Sequence, residues 1–301
     1  MSTITEECPK KGNKLTGKVY LEHSAEYSIG DVFLVADFNR MPVLFVGHGS
    51  PMNIVSKNSY TIDLAKVATE LPKPNAILVI SAHWLTNGTY VGCMVKPRTI
   101  YDFYGFPDEL YKNRYPSPGA LSEAKFASKT VKSSKVRCNS DWGLDHASWA
   151  ILKHMYPNAD VPVFEMSLDY SPYNDWRPKS LEHHYRLASE LAPLRERGVL
   201  MIGSGNLVHN LGLIDFDTDA KPFDWAVEFD EKVKRHLLNR NHEVLLNYLE
   251  IGQEARYAVP TLDHYLPIIY AIALQREDEQ LKFIHEGFQN GSVSMRAFQI
   301  G

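Results

Sequence analysis

From Met41 onward, short continuous apolar runs alternate with amphipathic stretches. PVLFVG (42–47), Ala76–Ser81 (AILVIS), Val161–Leu168 and Gly198–Ser204 (GVLMIGS) lack a polar face and are too short for an ordinary helix, so they predict buried strands. Tyr60–Glu70 predicts a helix, and Leu181–Arg197 an amphipathic one. Trp225–Glu250 reads as two helices. His264–Leu274 reads as a helix beginning beside Pro260 and carrying Pro267 in or near its first turn, where a missing N–H is tolerated. The closing segment Gly291–Gly301, with GSVSMRAFQI, alternates like a last strand. This β-then-α alternation is that of an α/β protein, and no repeat period is visible.

Residues 1–40 read differently. After a polar start, KVYLEHSAEYS and DVFLVADFNR each alternate over a short apolar stretch, as a strand or hairpin would. No function attaches to this segment, which is treated as an N-terminal extension (1–40) preceding one large domain (41–301).

Composition narrows the function classes. With 301 residues, 44% of them hydrophobic and 23% charged, the chain can bury a full core without a disulfide or metal to hold it. The formal net charge of −4 comes from interspersed charges of both signs, with no basic stretch to neutralise phosphates, which argues against nucleic acid as a partner. No run reaches the ~18–20 apolar residues of a membrane helix, and the N-terminus lacks a signal-like apolar core. Cys8, Cys93 and Cys138 are odd in number and none lies in a CxxC spacing, which fits a reducing, cytoplasmic setting.

The candidate chemistry lies in the histidines. His48 follows PVLFVG, His83 follows AILVIS and His209 follows GVLMIGS, at the strand edge where loops of an open α/β sheet converge on ligands. His264 sits in PTLDHYLP at the predicted start of a helix. A single histidine at a strand end is more often a hydrogen-bonded structural residue, but three flanked by glycine or small residues point to a metal centre. Neutral imidazole suits zinc, iron, nickel and copper. His183, His184, His236, His242 and His285 fall in polar stretches and read as exposed and structural. In GHGSP, Gly47 and Gly49 also permit a tight turn with positive φ, and Ser50 can cap the next element. Neither Ser50 nor Ser204 matches a nucleophile elbow, since Pro51 removes the N–H such a turn needs, and GSGN lacks the features of a phosphate loop.

MPVLFVGHGSPMN (41–53), LVISAHW (78–84), GLDHASW (143–149), GSGNLVHNL (203–211) and PTLDHYLP (260–267) together resemble the signature of the 4,5-DOPA extradiol dioxygenase family of the LigB superfamily. RTIYDFYGFPDELYKNRYPSPG (98–119) and GSVSMRAFQIG (291–301) fit as well, so the resemblance runs from Met41 to Gly301. It implies a single three-layer α/β/α domain with a central mixed sheet and a metal site at the strand C-terminal ends. It also implies one divalent metal ion per chain, and a reaction that opens the ring of a catecholic small molecule with O₂. By that resemblance His48, His83 and His264 match metal ligands. His209 matches a residue at the metal that serves as a fourth ligand or a base, and His146 matches a further catalytic histidine.

A three-histidine set departs from the better-known two-histidine, one-carboxylate arrangement and would also attract Zn(II). Ring opening by O₂ nevertheless calls for Fe(II), because zinc has no accessible redox change. Trp84, Phe103, Tyr104, Phe106 and Tyr265 could wall a substrate ring or simply pack the core. Asp263 could orient a ligand or cap a helix. Arg98 and Arg256 are candidates for a substrate carboxylate. The competing readings are a zinc-dependent hydrolase using the same histidines and a metal-binding regulatory protein without turnover. The spare histidines, His209 and His146, weigh against the second.

Overall fold

The computed structural model describes Ser28–Ile29, Val32–Phe33, 40–171 and 177–301. The chain divides into two units, 1–38 and 39–301. In the first, β1 (Ser28–Ile29) pairs antiparallel with β2 (Val32–Phe33). The remainder of the predicted alternations in 1–40 lies outside the described residues.

The second unit begins with β3 (Val43–Gly47), α1 (Ser59–Glu70), β4 (Ala76–Thr86), β5 (Thr89–Gly92), α2 (Asp108–Lys112), α3 (Leu121–Thr130) and β6 (Val136–Asn139). It continues through α4 (His146–Met155), β7 (Val163–Ser171), β8 (Arg177–Pro178), α5 (Leu181–Ser189), α6 (Pro193–Glu196) and β9 (Val199–Gly205). It closes with α7 (Asp224–Leu238), α8 (His242–Leu246), α9 (Ala255–Ala258), α10 (Leu266–Ala273), β10 (Leu281–His285), β11 (Phe288–Gln289), β12 (Val293–Ser294) and β13 (Ala297–Ile300).

The main sheet has the order β10-β13-β3-β9-β4-β7-β5-β6, with β8 paired to β7. Strands β3, β9, β4 and β7 form a parallel centre, while β13, β10 and the β5–β7 pairing are antiparallel. Side-chain alternation divides the core in two. Val43 and Phe45 of β3 join one cluster, Leu44 and Val46 the other, and β4 and β9 alternate likewise. Helices α1 and α4 cover one face, and α3, α5, α7 and α10 the other. The expected three-layer α/β/α domain with a mixed sheet is therefore present, and its buried central strands explain their unbroken apolar runs.

Several local expectations are corrected. The helix predicted over Leu181–Arg197 is two, α5 and α6, because Pro193 has no N–H to continue the ladder. His83 does not follow its strand: β4 runs through it to Thr86, with its pairing to β7 shifting register between Ile80 and Leu85. His184 is fully buried, not exposed, with Nδ1 2.9 Å from the Tyr270 hydroxyl. Cys93 and Cys138 form a disulfide joining the ends of β5 and β6, a pairing their 45-residue separation concealed. Gly49 has the expected positive φ of 61°, and Ser50 caps the following turn by accepting the Met52 N–H at 3.2 Å. Gly47 serves differently, since a Cβ there would lie 2.7 Å from the Ser294 carbonyl oxygen.

Two features of the interior fix where the functional side chains fall. The first is the contact between β9 and the start of α10. A Cβ on Gly203 would meet the Pro267 carbonyl oxygen at 2.4 Å, and one on Gly205 the His264 carbonyl oxygen at 2.2 Å. Glycine at both positions lets the segment carrying His264 lie on the strand, where Asn206 N donates to the His264 carbonyl at 2.9 Å. The second is a pair of wholly buried acids, Asp145 and Glu165. Glu165 accepts from Asp145 N at 2.8 Å and Trp142 Nε1 at 3.0 Å, and Asp145 accepts from the Ser81 hydroxyl at 2.7 Å. Burial, and then the neighbouring Asp145 charge, push the Glu165 carboxyl well above the ordinary glutamate range.

Gly205→Ala is expected to destabilise the fold by about 1–3 kcal/mol through overpacking, measured as a lower urea midpoint at unchanged slope. A second prediction follows from Glu165. An acid whose folded pKa is raised favours the fold most while protonated, below its unfolded pKa, and that contribution is lost as pH rises toward the folded value. Glu165→Gln loses one of the two accepting oxygens and is expected to be less stable than wild type at pH 5. The gap should then close as pH rises, by at most about 1.4 kcal/mol per pH unit. A gap constant from pH 5 to pH 8 in urea titrations would contradict the raised carboxyl.

Candidate active site

The C-terminal ends of β3, β4 and β9 bring histidines from distant parts of the chain together. His48 leaves β3 with its N–H donating to the Gly205 carbonyl at 3.1 Å, His83 projects from the far end of β4, and His264 is pressed against β9 ahead of α10. Their ring centroids form a nearly equilateral triangle: 5.0 Å between His48 and His83, 5.2 Å between His48 and His264, and 5.1 Å between His83 and His264. Each offers a ligand atom within 4.8 Å of the others'.

Hydrogen bonds on the outer nitrogens decide what faces inward. The Ser204 hydroxyl donates to the Ala147 carbonyl at 2.6 Å, so it receives the proton of His48 Nδ1, 3.1 Å away. Asp102 Oδ2 lies 2.8 Å from His83 Nδ1, and Asp263 Oδ2 is hydrogen-bonded to His264 Nδ1. With Nδ1 the donor in all three rings, each Nε2 presents a lone pair. His48 Nε2 and His83 Nε2 are only 3.2 Å apart, a separation that requires a proton or a cation to relieve two facing lone pairs. Burial, then His83 and His264, hold His48 far below the ordinary histidine range, and His264 is likewise lowered by burial despite Asp263. His83 differs. Burial opposes its protonation, but Asp102 and Asp145 outweigh that and raise its pKa. Three inward imidazoles backed by two carboxylates and a hydroxyl thus fit a divalent cation with an open coordination position.

Two more histidines flank the triangle. His209 stacks on His264, with centroids 3.5 Å apart and ring planes 8° from parallel, and its backbone N–H is held by the Ala258 carbonyl at 2.9 Å. The stacking sets the His209 ring beside His264 at the edge of the triangle. Burial and then His264 keep it far below the ordinary histidine range, so its ring is neutral. His146, the first residue of α4, packs edge-on against His83 at 4.2 Å and carries Asp102 Oδ2 on Nδ1 at 2.9 Å.

Of the aromatic candidates, Phe103 packs edge-on against His146 at 5.5 Å and Phe106 packs on Phe103. Trp84 is buried and stacked on Trp142, while Tyr265 is buried and donates to the Leu245 carbonyl at 3.1 Å, so both are core residues. Tyr104 is 91% exposed, and Arg98 and Arg256 are also exposed. Sequence reasoning missed Asp102, Ser204, Asp145 and Glu165. Asp102 lay within a stretch already singled out, as the one acid among the aromatics of YDFYGF, which was a usable signal.

Comparisons with known proteins agree with this geometry. Residues 42–297 match the family described as the catalytic LigB subunit of aromatic ring-opening dioxygenase. A protein of Escherichia coli K12 named 4,5-DOPA dioxygenase extradiol is 39% identical, covering 89% of this chain and 97% of its own length. One of the same name from Mirabilis jalapa is 33% identical over 83% of this chain and 92% of its own. A crystal structure of an uncharacterized Escherichia coli K12 protein aligns with a TM-score of 0.74 at 37% identity, covering 87% of this chain and all of that one. With the fold, the strand-end histidines and these matches in agreement, the chain belongs to the LigB family of aromatic ring-opening dioxygenases and is an extradiol ring-cleaving enzyme.

Proposed function

We propose that the enzyme cleaves a catechol such as 4,5-DOPA, with one Fe(II) held by His48, His83 and His264. The observation that carries this reading is the common arrangement of the three rings, each with its Nδ1 against a protein oxygen, and with Nε2 of His48 and His83 facing each other at 3.2 Å. The names of the relatives supply the substrate class, a dihydroxylated aromatic amino acid. When bound, Fe(II) would supply the electron-transfer chemistry between catechol and O₂ that the side chains cannot.

The remaining tasks fall to this chain's own groups. His209, stacked on His264 at the edge of the triangle, takes the proton from a substrate hydroxyl as the diol is bound. His146, with Nδ1 fixed on Asp102, has Nε2 left to take the diol's second proton and return it as the ring opens. Phe103 backs His146 and excludes water on that side. The buried triangle and its carboxylates preorganise these charges before substrate arrives.

Metal-free protein reconstituted anaerobically with Fe(II) is expected to consume one O₂ per ring opened, yielding a yellow semialdehyde from L-DOPA or a simple catechol, while Zn(II)-loaded protein consumes none. His48→Ala and His264→Ala should abolish uptake. His209→Ala should lower kcat by roughly 10²–10⁴-fold, the range for a lost general base. Iron-loaded protein inert toward every catechol tested would sink the substrate assignment, and hydrolytic activity with zinc would then become the better reading.

A further inference from the structure

We propose that Asp102 is a positioning residue, one carboxylate that sets the tautomer and orientation of both the metal ligand His83 and the acid–base residue His146. This rests on the histidine roles proposed above. A single oxygen, Oδ2, lies 2.8 Å from His83 Nδ1 and 2.9 Å from His146 Nδ1. The other oxygen, Oδ1, accepts the backbone N–H of His146 at 2.9 Å. An ionised carboxylate has no proton to donate, so both Nδ1 atoms must be the donors and both Nε2 atoms are left bare. For His83 that directs Nε2 to the triangle with His48 and His264. For His146 it leaves Nε2 as the one atom able to exchange a proton.

The fold places this carboxylate by a dedicated device. Beyond the β5–β6 pairing and the Cys93–Cys138 link, the two segments stay together as a narrow parallel ribbon. Leu144 N donates to the Arg98 carbonyl at 2.8 Å, and Ile100 N to the Leu144 carbonyl at 2.7 Å, around a Thr99–Leu144 bridge. Gly143 lets the segments touch, since a Cβ there would lie 2.0 Å from the Arg98 carbonyl oxygen. Asp102 and His146 each stand two residues past the Ile100–Leu144 rung, so the ribbon delivers the acid and its histidine side by side. A carboxylate needed only for packing would not require three imidazole-ring and backbone donors on its two oxygens.

The same atoms, His83, Asp102 and His146, are also close enough to bind an ion themselves. Separate Nδ1 acceptors on His48 and His264 favour the triangle instead, with Asp102 outside it. The experiment therefore measures metal binding apart from turnover. Metal-free wild type, Asp102→Asn and His146→Gln are titrated with Co(II) and Zn(II) against a chromophoric chelator, with visible spectra of the Co(II) forms and kcat and KM of the iron forms. Asp102→Asn is expected to bind metal ~10–100-fold more weakly, the range for loss of a ligand's hydrogen-bonding partner, and to shift the Co(II) bands. Once saturated with iron it should show a lowered kcat with KM little changed. His146→Gln should keep wild-type metal affinity while losing kcat.

Wild-type affinity and Co(II) spectrum in Asp102→Asn would overturn the proposal. So would a loss of metal in His146→Gln equal to that in Asp102→Asn, which would put the ion among His83, Asp102 and His146. Should Asp102→Asn fail to fold by far-UV circular dichroism, Asp102→Ser carries the same measurements with a smaller side chain. Failure of the wild type to bind one ion per chain would instead strike the metal reading itself, and the two failures are told apart by that control.

Discussion

Bare imidazole nitrogens repel one another, and the site depends on holding three of them inward within a few ångströms. That is possible only if each ring's outer nitrogen gives its proton to a fixed oxygen. Ser204 does this for His48, Asp102 for His83 and Asp263 for His264. Each acceptor comes from a different part of the fold: the end of β9, the loop after β5, and the residue preceding His264 itself. Misplacing any acceptor would let its ring turn, and the common focus of the three lone pairs would be lost.

The rest of the architecture serves that requirement. Parallel strands β3, β9 and β4 lie side by side, so their C-terminal ends bring His48, Ser204 and His83 to one edge. Glycines in β9 let the His264 segment pack directly on the strand. The β5–β6 ribbon brings Asp102 and His146 in from the other side of the sheet order. Two carboxylates next to the triangle would also offset the charge of a divalent ion that three neutral ligands leave uncompensated. The buried Asp145–Glu165 pair lies behind them and ties α4 to β7 and, through Ser81, to β4.

Much of this was legible in the sequence because buried parallel strands appear as unbroken apolar runs. The runs ending before His48 and near His83 and His209 marked the functional edge, and the family resemblance added His264 and His146. The strand holding His83 proved longer than its apolar run, because Ser81 and His83 interrupt the run while Ala82, Trp84 and Leu85 continue the strand beyond them. Pro193 could have signalled the break between α5 and α6. Asp102, Ser204 and Glu165 act through contacts to residues far away in sequence, which no local pattern reports. His184 was misjudged for a related reason: its polar neighbours described the outer face of α5, whereas its own ring turns inward to Tyr270. The Cys93–Cys138 link likewise depends on two strands becoming neighbours.

The most direct measurement is anomalous diffraction at the iron edge from crystals of the iron-loaded enzyme grown without oxygen. One peak within bonding distance of Nε2 of each of His48, His83 and His264, with His209 alongside, is the predicted result. A peak among His83, Asp102 and His146, or an ion bound through Nδ1 of the triangle histidines, would contradict it.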